Sequence, residues 1–94
     1  MRPACIATTL IDDDRLRVTR FDFAPGAETG WHRHGLDYLI TAITDCPMLI
    51  EEPGGGLRQV LVPAGTAYRR AAGVEHNVVN DGAAPMCFVE VELK

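Results

Sequence analysis

Apolar and polar positions alternate along this chain in short bursts, and no stretch keeps a helical period over three turns. β-Branched runs at about 5–10, 15–23, 36–44, 47–52, 57–62, 66–70, 75–80 and 85–93 are each closed by Gly, Pro, Asn or Asp. The closing clusters include DDD at 12–14, APGAETG at 24–30, EPGGG at 52–56, PAG at 63–65 and NDG at 80–82. Turn signals this regular predict an all-β sandwich or barrel. The last run is the clearest strand. Cys87, Val89, Val91 and Leu93 share one face while Glu90 and Glu92 point the other way, which predicts a half-buried strand with its apolar face on the core. Met86 and Phe88 then lie opposite that face, and the apolar area they expose predicts a homodimer.

Composition narrows the picture. Ninety-four residues, 47% of them hydrophobic and 23% charged, suit one small globular domain. Nine basic against thirteen acidic residues leave a net charge of −4. That balance argues against a nucleic-acid partner or an acidic membrane surface, both of which recruit basic patches. No apolar run is long enough to span a bilayer, and the start lacks the apolar core of a secretory signal. Cys5, Cys46 and Cys87 are an odd, widely spaced set that suits reduced thiols, so a cytoplasmic location is expected. The GGG at 54–56 lacks phosphate-loop spacing and reads as a hairpin tip. The DDD run reads as a solvated turn.

The chemistry lies in the histidines. His32 and His34 stand in W-H-R-H, and alternate residues of an extended segment aim to the same side. A third imidazole from a neighbouring strand would close a metal face, and His76 is the available donor. Imidazole suits iron, zinc, copper and nickel. The other reading of these residues is two surface histidines and one satisfied core histidine.

The spacing around them resembles the cupin family of small β-barrels. Gly26, five residues, His32, Arg33 and His34 match its first motif in register. Gly65, five residues, Ala71-Ala72-Gly73, two residues, His76, three residues and Asn80 match the second, with Ala71 where proline is usual. The two cover about 26–38 and 65–80, and every histidine falls on a ligand position of the family. The wording T-G-W-H-R-H, D-Y, Y-x-R, A-G-V-E-H-N-V-V-N and F-V-E-V-E-L is similar to the minimal single-domain cupin-2 barrel proteins associated with β-alanine degradation. The resemblance implies an RmlC-like double-stranded β-helix, or jelly-roll barrel, over residues 1–94. It also implies a divalent metal on His32, His34 and His76: Fe(II) or Zn(II) first, then Ni(II) or Mn(II).

One departure matters. Three residues after His34 the family has Glu, whereas this chain has Tyr38; the four-residue variant falls on Leu39. Tyr38 keeps parity with the two histidines, so it is expected inside, as a fourth ligand or a hydrogen bonder behind the ligands. Asp37 is the alternative if Gly35 marks a bulge. Tyr68 and Arg70 share parity just before the second motif. They are expected to face the cavity, with Arg70 holding a substrate carboxylate or else lying in solvent beside Arg69. Tyr38, Tyr68 and Arg70 are thus the candidate catalytic groups. Trp31 is expected outside the barrel or at a subunit contact, and Asn80 is expected to shape the barrel. Three functions stay open: a metal-dependent oxygenase, hydrolase or isomerase acting on a small anionic organic molecule; a non-catalytic metal or small-ligand binding module; and a structural barrel without metal.

Overall fold

The computed structural model describes all 94 residues and contains nine strands and no α-helix. They are β1 (Ile6–Asp12), β2 (Leu16–Phe23), β3 (His32–Arg33), β4 (Asp37–Ala42), β5 (Cys46–Glu52), β6 (Gly56–Val62), β7 (Ala67–Arg70), β8 (Glu75–Asn80) and β9 (Met86–Leu93). They form two antiparallel sheets, one in the order β1-β2-β9-β4-β7 and the other β3-β8-β5-β6. Facing sheets with crossed connections make the all-β barrel expected from the turn spacing, in the jelly-roll form that the cupin resemblance implies.

The turns follow from their residues. Asp13 closes the β1–β2 turn by accepting from the backbone N–H groups of Arg15 and Leu16 at 2.8 and 3.0 Å. Gly54 and Gly55 take φ of 82° and 85° at the β5–β6 tip, a left-handed conformation that glycine adopts without steric cost. Asn80 is 1% exposed and ties the end of β8 together. Its Nδ2 donates to the carbonyls of Phe23, Ala24 and Ala84, and its Oδ1 accepts from the Gly82 N–H at 3.0 Å. It shapes the barrel, as expected.

The core fills the space between the sheets with Phe23, Tyr38, Ile40, Met48, Ile50 and Phe88 among its members. Phe88 packs against both Phe21 and Phe23 with ring centroids 5.3 Å apart.

Here β9 overturns the reading of its own sequence. Met86, Phe88, Glu90 and Glu92 are all at most 9% exposed and point inward, while Val89, Val91 and Leu93 are only half-buried on the outer side. Period-two alternation fixes which residues share a face but not which face is inside. The two glutamates sit inside because the interior is polar towards its mouth, where Arg17 of β2 is the cross-strand partner of Glu92. With Met86 and Phe88 in the core, the outer face of β9 is the other apolar row, Val89, Val91 and Leu93. Exposed large apolar groups lie on β1 at Ile6, Leu10 and Ile11, on β6 at Leu57 and Leu61, at Ile43, and at Trp31, which stands outside the barrel.

Candidate metal centre

Strand pairing builds the histidine cluster. His32 of β3 is the direct cross-strand partner of His76 of β8, so their side chains rise side by side. His34 lies two residues on and is pinned to the second motif: its N–H donates to the Val74 carbonyl, and the Gly73 N–H donates to the His34 carbonyl, both at 2.8 Å. Gly73 makes that turn with φ of 100°.

All three rings turn their Nε2 atoms towards one point. The His34 Nε2 lies 3.0 Å from that of His32 and 3.1 Å from that of His76. The Nδ1–H of His32 donates to the Gly30 carbonyl at 2.8 Å, which leaves its Nε2 free as a lone-pair donor. Three imidazole nitrogens this close are a poor arrangement for mutual hydrogen bonding and a good one for a cation. A metal about 2.1 Å from nitrogens at right angles needs them about 3.0 Å apart, whereas tetrahedral angles need about 3.4 Å. The donor set therefore fits a metal on one face of its coordination sphere with other positions open. Burial, then the neighbouring histidine, holds His34 down to about 4; burial likewise holds His76 down to about 3. Both rings thus stay neutral and able to ligate at physiological pH.

These rings line a cavity of about 220 Å³ that also meets Tyr38, Tyr68, Glu90 and Glu92. Tyr38 is 1% exposed and stacks flat on His34, with centroids 3.8 Å apart and planes 18° apart. Burial pushes its phenol up to about 12, and its hydroxyl has no hydrogen-bond partner. Asp37 faces away: its Oδ1 accepts from the Ala72 N–H at 2.8 Å and braces the second-motif turn. No bulge re-aims it.

Tyr68 lines the cavity as expected, but Arg70 does not. It stands across from Tyr38 in the pairing of β7 with β4, yet β7 is an edge strand. The long side chain lies in a neighbouring cleft between the β6 and β7 edges, with Arg58, Arg69 and Tyr68.

The carboxylates that the motif lacks come from β9. Two rows cross the inner face of the sheet: Arg17, Glu92, Tyr38 and Arg70 at the mouth, then Thr19, Glu90, Ile40 and Tyr68 below. Glu92 pairs with the Nε of Arg17 at 2.7 Å. One oxygen from each glutamate and a ring nitrogen of His34 lie within 4.8 Å of one another, a group sharing only His34 with the histidine triad. Burial first, then the charge and hydrogen bond of Glu92, push the Glu90 carboxyl up to about 7. Sequence reading missed both residues. The available signal was that they keep parity with the bulky Met86 and Phe88 rather than with the smaller Cys87 and Val89.

A nine-stranded jelly roll with three histidines converging inside it is the architecture of a cupin. No family model matches the chain. A β-alanine degradation protein, BauB, of Pseudomonas aeruginosa is 50% identical over 93 residues, covering 99% of this chain and 97% of that protein. The crystal structure of a cupin domain from Bordetella pertussis Tohama I superposes with a TM-score of 0.95 at 45% identity, over 100% of this chain and 97% of that one. The polyketide cyclase RemF of Streptomyces resistomycificus is similar at a TM-score of 0.75 and 25% identity, over 98% of this chain and 68% of its own. The chain belongs to the cupin family, among the small single-domain cupins of the BauB kind. No helix in it is long and apolar enough to cross a membrane.

Proposed function

We propose that this cupin is a metal-dependent enzyme of β-alanine degradation, acting on a small organic acid at His32, His34 and His76. The observation that carries the reading is the convergence of three Nε2 atoms at 3.0 and 3.1 Å inside a cavity of small-molecule size. The pathway comes from the name of the half-identical Pseudomonas protein. Fe(II) suits the right-angle spacing best, with Zn(II), Ni(II) and Mn(II) as further occupants. Such a metal would supply Lewis acidity, or open positions for a chelating acid and dioxygen.

The chain's own residues do the rest. The Gly30 carbonyl keeps His32 in the tautomer that ligates through Nε2. Tyr38 holds the His34 ring flat by stacking on it. Ile40, Met48 and Phe88 form the cavity's apolar lining and keep water from it.

A second reading, a metal or small-ligand binding module without turnover, is favoured by one observation: no carboxylate converges with all three imidazoles. Oxygen uptake and product formation by the Fe(II)-loaded protein with β-alanine and related small acids separate the two. Turnover that disappears in His76→Ala supports the enzyme. Stoichiometric metal without turnover on any of these acids leaves the binding module.

A further inference from the structure

We propose that the Glu90–Glu92 wall of the cavity is an ammonium-binding site, so that the ligand is a small amino carboxylate that still carries its amino group. The inference rests on the metal reading for one end of the ligand, whose carboxylate goes to the histidine-bound metal, and on β9 for the other.

Charge is the first argument. Glu90 and Glu92 are 8% and 9% exposed, and the ion pairs of the fold give them one cation, Arg17, which is spent on Glu92. Glu90 has no ion pair of its own and sits hydrogen-bonded beside Glu92, so a ligand's ammonium would supply the cation this pair of carboxyls lacks. The histidine-bound metal does not fill that role by coordination, because the carboxylates share only His34 with the triad. Acceptor geometry is the second argument. Tyr38 is the cross-strand partner of Glu92, and its ring lines the same cavity while its hydroxyl is fully buried. An ammonium brings three donors, and this wall offers it the Glu90 carboxyl and the second oxygen of Glu92 as acceptors. A cavity of about 220 Å³ has room for a ligand only a few carbons long.

The test is calorimetric titration of the Zn(II)-loaded protein with β-alanine and with propionate, which lacks only the amino group. Zinc stoichiometry is measured on the same samples. The wild type is expected to bind β-alanine at least about tenfold more tightly than propionate, the yield of one charge-assisted hydrogen bond. The isosteric Glu90→Gln should lose most of that preference while keeping its zinc and its affinity for propionate and melting no lower than the wild type. Equal affinity for the two acids in the wild type would overturn the proposal without recourse to any variant. A preference unchanged in Glu90→Gln would also overturn it. The same titrations on chelated protein read the ammonium site alone. Absence of zinc thus contradicts the metal reading, and absence of the amino-group preference in both forms contradicts this one.

Discussion

His34 has two neighbourhoods, and they were built by different means. On one side stand His32 and His76, placed by two motifs and one cross-strand pair. On the other stand Glu90 and Glu92, placed by the inward face of β9 beside Tyr38 and Arg17. The first set offers nitrogen lone pairs, and the second offers carboxyl oxygens. This barrel thus carries acidic groups near its histidines although its first motif has none. Tyr38 occupies that motif position and packs against the His34 ring, and the acid has come from across the sheet.

The sharpest way to break the comparison is to remove what stands between the two sides. Tyr38→Ala should destabilise the protein by about 3–5 kcal/mol, the cost of a large buried ring, and release His34 from its stack. Tyr38→Phe keeps the packing and discards a hydroxyl with no partner, so the metal-free protein should be no less stable. Thermal melts of both variants check this.

Acidity reads the two sides with opposite signs in chelated protein. His34 and His76 fall from 6.5 to about 4 and about 3, so the unfolded chain holds more protons than the folded one below 6.5, and stability drops as pH falls. Glu90 rises from 4.5 to about 7, so the folded chain holds the extra proton between those values, and its contribution is lost as pH rises through 7. Two imidazoles against one carboxyl leave about one net proton between pH 4.5 and 6.5, or about 1.4 kcal/mol per pH unit. Denaturant midpoints across that window should show stability peaking near 6.5, and Glu90→Gln should steepen the acid limb.

Asn80→Ala, at the far end of the strand that carries His76, should cost about 1–3 kcal/mol by stranding buried carbonyls. Arg17→Met, on the glutamate side, should cost about 1–2 kcal/mol: the Arg17 side chain is 41% exposed, but Glu92 at 11% loses its ion pair. Urea titration distinguishes the two.

The histidine side was legible in the sequence because its placement follows from local spacing. H-x-H in an extended segment shares a face, and the second motif puts His76 on the adjoining strand. Tyr38 was legible by the same parity. The glutamate side was hidden because alternation is symmetric between inside and outside, and Glu-x-Glu ordinarily marks the solvent face. Only the larger volumes of Met86 and Phe88 on the same face could have broken that symmetry. Arg70, expected either at the cavity or in solvent beside Arg69, could not be placed for a different reason. Its parity is inward, but parity says nothing about a long side chain at an open sheet edge. The short β3 strand could not be delimited from sequence, since two paired residues leave no alternation to read.

The central claim is that the three imidazoles hold a metal and the β9 glutamates do not. Elemental analysis of wild type, His76→Ala and Glu90→Gln, purified and dialysed without chelator, tests it most directly. The account predicts about one divalent transition metal per chain in the wild type and in Glu90→Gln, and little in His76→Ala. A wild type that takes up no metal even on reconstitution, or a His76→Ala that retains it in full, would contradict the account.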